Sequence, residues 1–97
     1  GNQTGPSGGP VRYPPDRIDT LPVVKALVHA LGGQTKPAAR IMGASQSSLY
    51  KVLKGENSAP TLDTLSLYGH RIFRETGIRL VFTVTPDLKL HWTVKNE

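Results

Sequence analysis

Between residues 45 and 54 the polar and basic side chains are interleaved with apolar ones at helical spacing. Gln46 can form a bidentate pair with adenine through its amide group, while lysines neutralise phosphates without reading sequence. The charged residues from Gln34 to Gly55 are all basic, whereas a merely solvated helix face more often mixes signs. The residue types therefore favour contact with DNA. The candidate DNA-contacting residues are Thr35, Lys36, Ser45, Gln46, Ser47, Tyr50, Lys51 and Lys54.

Two short helices joined by a tight turn are predicted to position these side chains. The first covers about residues 36–42 and the second about residues 46–54, with Thr35 and Ser45 as their respective N-caps. Gly43 takes the turn, since a left-handed backbone costs glycine almost nothing. The spacing turns one set of side chains inward. That set is Ala39, Met42, Leu49 and Val52.

This pattern of small residue, glycine turn and returning apolar positions resembles the helix-turn-helix of the family that includes the phage Cro and repressor proteins. The resemblance implies that the second helix lies in the major groove and that the start of the first touches the DNA backbone. An ordinary helical hairpin with a glycine turn is the alternative interpretation of the same spacing.

A second resemblance extends over about residues 20–85. Residues 48–53, 55–57 and 60–65 are similar to the helix-turn-helix antidote proteins of bacterial toxin–antitoxin modules. In those proteins the helix after the loop is followed by a strand that begins near a glycine, as Gly77 and Ile78 do here. The second strand, residues 89–94, looks more like the C-terminal hairpin of Cro-type repressors.

Two further helices are predicted, one before this pair and one after it. The helix before it, the first in the chain, covers about residues 21–31, with Thr20 as N-cap and Pro22 in its first turn. Its apolar stripe consists of Leu21, Val24, Leu27, Val28 and Leu31. The fourth covers about residues 62–76, capped by Thr61 and closed by Gly77. Its expected buried residues are Leu62, Leu65, Tyr68, Ile72 and Phe73.

The end of the chain changes from helical to strand periodicity. Residues 78–84 and 89–94 alternate as two strands around a turn at residues 86–88. An isolated hairpin is marginal in water, so we expect this one to pack on the helices, to pair with the hairpin of a second chain, or to do both. Alternatively, Trp92 docks a different protein. The expected dimerisation residues are Leu80, Phe82, Val84 and Trp92.

The predicted fold class is mainly α (α+β), in three parts. Residues 1–17 form a glycine- and proline-rich tail expected to be disordered, residues 18–77 a four-helix DNA-binding domain, and residues 78–97 a β-hairpin. The tail is interpreted as a plain linker, and the alternative is an arm in which Arg12, Tyr13 and Arg17 reach the minor groove.

Composition narrows the functional class. The 97 residues carry a formal charge of +5, and a basic balance favours a polyanionic partner. Without cysteine, disulfide scaffolds and cysteine-ligated zinc are excluded. No apolar run approaches the roughly 20 residues that span a bilayer, and the start shows no secretion signal. We expect a cytoplasmic protein, nucleoid-associated when bound to DNA, with no membrane partner.

No grouping of residues predicts catalysis. His29, His70 and His91 are far apart and share no metal-ligand spacing, so no enzyme activity, metal or cofactor is expected. Three functional hypotheses remain. The first is a dimeric transcriptional repressor that binds a palindromic operator in double-stranded DNA through the helix at residues 46–54. The others are an antitoxin of a type II module, with a toxin protein as partner, and an interaction adaptor that has lost DNA binding.

Overall fold

Four helices followed by an antiparallel hairpin make up residues 18–96, the part of the chain that the computed structural model describes. The predicted α+β class is confirmed. The predicted tail at residues 1–17, with Arg12, Tyr13 and Arg17, lies outside the described residues. The elements are α1 (Leu21–Ala30), α2 (Thr35–Met42), α3 (Gln46–Leu53), α4 (Leu62–Thr76), β1 (Ile78–Val84) and β2 (Leu90–Asn96).

The core forms where the apolar stripes of the four helices meet. Helix α1 buries Val23 together with the predicted Val24, Leu27 and Val28, while the predicted Leu21 and Leu31 are only half-buried. The buried stripe is therefore turned slightly from the predicted one. The other buried core residues are Ala38, Ala39, Met42, Leu49, Leu65, Ile72 and Ile78.

One predicted N-cap is confirmed in position only, and another is wrong. Thr20 is the N-cap residue of α1, but its backbone is near-helical (φ −99°, ψ −1°) and its side chain makes no capping hydrogen bond. The buried hydroxyl instead donates to the Pro60 carbonyl at 2.6 Å, and Asp19 Oδ1 accepts from the N–H of Leu21. Thr35 is the first residue of α2 rather than its cap, because the extended residue before the helix is Gln34.

The caps of α3 and α4 are confirmed. Ser45 and Thr61 both have extended backbones, which aim a side-chain oxygen at the free N–H groups of the first turn. Ser45 Oγ accepts from Ser48 N at 3.1 Å, and Thr61 Oγ1 accepts from Thr64 N at 3.3 Å. These bonds set where each helix begins.

The hairpin packs one face against the helices, β1 against α4 and β2 against α1. Its inner face includes Ile78, which is buried, and Leu80, which pairs with Val94. Strand β2 extends beyond the predicted end at residue 94, because Asn96 pairs with Ile78. Phe73, expected in the core, is 44% exposed. It lies past the edge of the buried stripe of α4.

The turn between the strands is held by side-chain hydrogen bonds. Thr85 Oγ1 donates to Asp87 Oδ1 and accepts from Lys89 N. The bond from Thr85 lowers the pKa of the exposed Asp87 carboxyl below its usual value. Leu88 takes the left-handed conformation (φ 63°) that completes the reversal.

Two glycines are expected to respond oppositely to alanine. At Gly69, in the middle of α4, an added Cβ would lie 3.4 Å from the Leu80 side chain, an ordinary contact. Gly69→Ala should therefore raise the free energy of unfolding by about 0.5–1 kcal/mol through helix propensity. Gly43 has φ +77°, where a Cβ costs about 1–2 kcal/mol, so Gly43→Ala should lower the free energy of unfolding. Urea unfolding followed by circular dichroism measures both, and a destabilised Gly69→Ala would contradict the described α4–β1 spacing.

Candidate nucleic-acid interface

The turn between α2 and α3 is closed by main-chain hydrogen bonds around Gly43. Its left-handed backbone (φ 77°, ψ 24°) ends α2, and the N–H of Ala44 donates to the carbonyl of Ala39 at 3.0 Å. This is the bond pattern of a glycine-closed helix end. The predicted turn is confirmed, and it directs the chain into α3 after only Ala44 and Ser45.

Burial divides the two helices into an inner and an outer face as predicted. Ala39, Met42 and Leu49 are buried and Val52 is half-buried, with Ala38 as an additional buried residue. The candidate contact residues lie on the other side, and all are exposed except the half-buried Thr35. These exposed residues are Lys36, Ser45, Gln46, Ser47, Tyr50, Lys51 and Lys54. Their role in binding DNA stays a prediction.

The first turn of α3 presents Gln46 and Ser47 next to each other. Ser45 anchors that turn through its bond to Ser48 N, so the two side chains project from a position fixed by the cap. A fixed position matters because bidentate contact with a base edge requires the amide in one orientation. The start of α3 is thus the best-defined polar part of the interface.

Lys54 has contacts within the protein that its position in sequence did not predict. Its Nζ lies 3.5 Å from Glu56 Oε2 and 5.1 Å from the centre of the Tyr50 ring. The Lys54 and Glu56 side chains are 50% and 55% exposed, and such surface pairs contribute only about 0–1 kcal/mol. A phosphate would therefore compete readily with Glu56. Sequence reasoning missed Glu56 because it lies just outside the acid-free stretch.

Arg71 brings a charge from α4 to the α2–α3 turn. A Cβ built on Gly43 would lie 2.7 Å from Arg71 Nη1, so the guanidinium packs directly against the glycine. Arg71 also lines a surface groove of about 260 Å³ with Arg40, Arg74 and Glu75. Arg71 is not among the candidate DNA-contacting residues predicted from the sequence. Its contact with Gly43 depends on how α4 packs on α2, for which the sequence has no local signal.

The three histidines do not come together into a metal site: residues 18–96 contain no group of three potential ligands drawn from His, Cys, Asp and Glu. Across the same residues, every helix is too short or too polar to span a membrane. The chain matches no protein-family model, no curated protein and no solved structure. The function is therefore inferred from the geometry of α2, α3 and the hairpin.

Proposed function

We propose that this protein is a sequence-specific DNA-binding transcriptional regulator, a repressor that binds a palindromic operator as a dimer. The observation that carries the proposal is the outer face of α3. Gln46, Ser47, Tyr50 and Lys51 are exposed there, and no acid occurs from Gln34 to Gly55. A polar helix face without negative charge is suited to the major groove of duplex DNA.

Each residue type suits a different part of the duplex. Gln46 has the donor and acceptor that an adenine edge requires, and Ser47 and Tyr50 are near enough on α3 to add contacts to bases or backbone. Lys51 and Lys54 carry charges for phosphates, which position the protein without specifying sequence. Lys36, in the first turn of α2, adds a charge at a helix N-terminus, where anions are favoured.

The hairpin supports a dimer. On its inner face Val84 and Trp92 remain 38% and 37% exposed, whereas Ile78 at the other end of β1 is buried by the helices. Leu80 and Phe82 lie between these extremes and are half-buried. A second copy that pairs with this hairpin would cover part of its apolar surface, and the resulting two-fold symmetry would match a palindromic site.

Selection of bound sequences from a random DNA pool tests the proposal. We expect enrichment of an inverted repeat with half-site centres about 34 Å apart. Binding of the enriched site should weaken steeply with salt, because lysine–phosphate contacts release counterions. Enrichment of a single half-site would support DNA binding but contradict binding as a dimer. Absence of any stable complex with DNA at low salt would contradict the proposal and favour the adaptor hypothesis.

The antitoxin hypothesis is favoured by a different observation. Leu88 and Trp92, which are outside the candidate DNA-contacting set, are 40% and 37% exposed, and exposed apolar side chains in one region suit a protein partner. Expression of a neighbouring short reading frame tests this hypothesis. Its product should arrest growth when expressed alone and not when expressed with this protein. A harmless product would contradict the antitoxin role.

A further inference from the structure

The outer edge of β1 presents main-chain groups that pair with no other described strand. Thr85 N donates to Lys89 O at 3.0 Å. Since inter-strand bonds alternate along an antiparallel pair, the odd-numbered residues of β1 bond to β2 and the even-numbered ones point away. Within residues 18–96 the sheet has only two strands. Leu80, Phe82 and Val84 therefore offer their N–H and C=O groups outward, while Ile78 N is already bonded to Thr76 Oγ1 at 3.1 Å.

The sequence of β1 leaves this edge unprotected. Natural proteins guard edge strands with charges, prolines or bulges, yet residues 80–84 contain no charge, proline or glycine. The only charge in β1 is Arg79. Strand β2 carries Lys95 and His91 instead. Of the two strand edges, that of β1 is therefore the more favourable for pairing with another strand.

A groove of about 340 Å³ lies between α4 and β1, beside this edge. Its walls are mainly apolar, with Gly69, Phe73, Leu80 and Phe82, and also include Ser66, His70 and Arg79. Phe73 is 44% exposed there, with the Arg79 guanidinium 5.1 Å from its ring centre. A strand added to β1 would place its inner-face side chains over this groove and cover Phe73. Main-chain pairing and apolar burial thus call for the same occupant, an extended strand with apolar side chains on its inner face.

A second β1 meets these requirements in one register. Antiparallel pairing about a two-fold axis at Val81 aligns all seven residues of both strands, because Val81 is the midpoint of Ile78–Val84. It sets Leu80 opposite Phe82 of the second copy, so outward main-chain groups meet each other. Arg79 then lies opposite Thr83. The same operation on β2, about Thr93, would set His91 opposite Lys95, two basic residues facing each other.

We infer that two copies of this chain dimerise by antiparallel pairing of their β1 edges, with Val81 on the two-fold axis, to form a four-stranded sheet. The inference deepens the proposed function by naming the surface through which the dimer forms, and its biological role rests on that function. It places the interface at the strand edge and the α4 groove. Of the four expected dimerisation residues, Leu80, Phe82 and Val84 lie on β1, whereas Trp92 lies on β2 and stays outside this pairing.

A single cysteine tests the register, because the chain has no native cysteine. Residues on the axis would form a non-hydrogen-bonded pair with Cα atoms about 4.5 Å apart, within disulfide range. We expect Val81→Cys to give a covalent dimer under mild oxidation in the full chain. Thr93→Cys is the matched control, since Thr93 lies directly opposite Val81 within the hairpin and is likewise exposed. It should stay largely uncrosslinked.

A charge at the same two positions tests the interface without covalent chemistry. Val81→Lys brings two ammonium groups together at the axis and should increase the dimer dissociation constant at least tenfold in sedimentation equilibrium without DNA. Thr93→Lys should leave it unchanged. Circular dichroism confirms that both variants are folded. A monomeric wild type, or dissociation by Thr93→Lys and not by Val81→Lys, would overturn the inference. Dissociation by Trp92→Ala alone would assign the interface to the hairpin face and overturn it as well.

These measurements separate the dimer from the DNA-binding proposal. Val81→Lys should lose binding to the two-half-site DNA and keep the weaker binding to one half-site, because Val81 lies outside the DNA-contacting set. If the protein forms the β1-linked dimer but enriches no DNA sequence, the inference stands and the proposed function is wrong. If it binds an inverted repeat but Val81→Cys forms no disulfide, the proposed function stands and the inference is wrong.

Discussion

Replacement of Gln46 by alanine is expected to reduce discrimination between the selected site and random DNA by about 5- to 150-fold. One good bidentate contact to a base accounts for about 1–3 kcal/mol of discrimination, and Gln46 is exposed in the capped first turn of α3. Fluorescence anisotropy with labelled duplexes of both kinds, at one fixed salt concentration, measures the ratio of the two dissociation constants. Binding to random DNA should change little.

Two lysine variants supply the controls for Gln46. Lys51→Ala, on the same helix, should weaken binding to both duplexes about equally. It should also reduce the slope of the logarithm of the binding constant against the logarithm of the salt concentration by about one, as expected when one phosphate contact is lost. Lys95→Ala removes the same charge from β2, outside the candidate interface, and should leave binding nearly unchanged. Wild-type discrimination in Gln46→Ala would show that Gln46 does not read a base.

Leu65→Ala is expected to lower the free energy of unfolding by about 2–5 kcal/mol. Leu65 is completely buried in the core between the helices, and truncation of such a side chain removes apolar burial and leaves a cavity. For a small domain with a total stability of about 5–15 kcal/mol, this is a large fraction. Chemical denaturation followed by circular dichroism gives the change from the shift in midpoint at constant slope.

Leu67→Ala is the matched control because it makes the same truncation two residues later in the same helix. Leu67 is 48% exposed, so its replacement should change the free energy of unfolding by less than about 1 kcal/mol. Similar losses for both variants would contradict the described orientation of α4. That orientation matters for function, because α4 packs against α2 and sets the position of Arg71 beside the turn.

Local signals explain why the helix-turn-helix segment was predictable. Gly43 and Ser45 each have a conformational preference that acts within a few residues, and both preferences agree with the apolar spacing of α2 and α3. Likewise, Thr61 and Gly77 mark the ends of α4, whose predicted bounds match the observed ones. Alternation over residues 78–84 predicted β1 with the same bounds. In these segments local preference and burial favour the same structure.

Two of the differences from prediction occurred where a residue outside the local segment decided the outcome. The hydroxyl of Thr20 was free to cap α1, but the Pro60 carbonyl, forty positions away, is its partner. Phe73 was apolar enough for the core, yet it is 44% exposed beside β1, with the Arg79 guanidinium 5.1 Å from its ring centre. Neither competing contact has a signature in the neighbouring sequence.

By itself, the sequence determined the order of the elements, the caps at Ser45 and Thr61, the turn at Gly43 and the acid-free outer face of α3, because propensity, capping and periodicity act over a few residues. Only the tertiary structure decided which face of the hairpin packs on the helices and which apolar side chains stay uncovered. It also decided which charge from α4 reaches the turn. Those features depend on how α4 packs against α2 and β1, and packing is a property of surfaces brought together from distant parts of the chain.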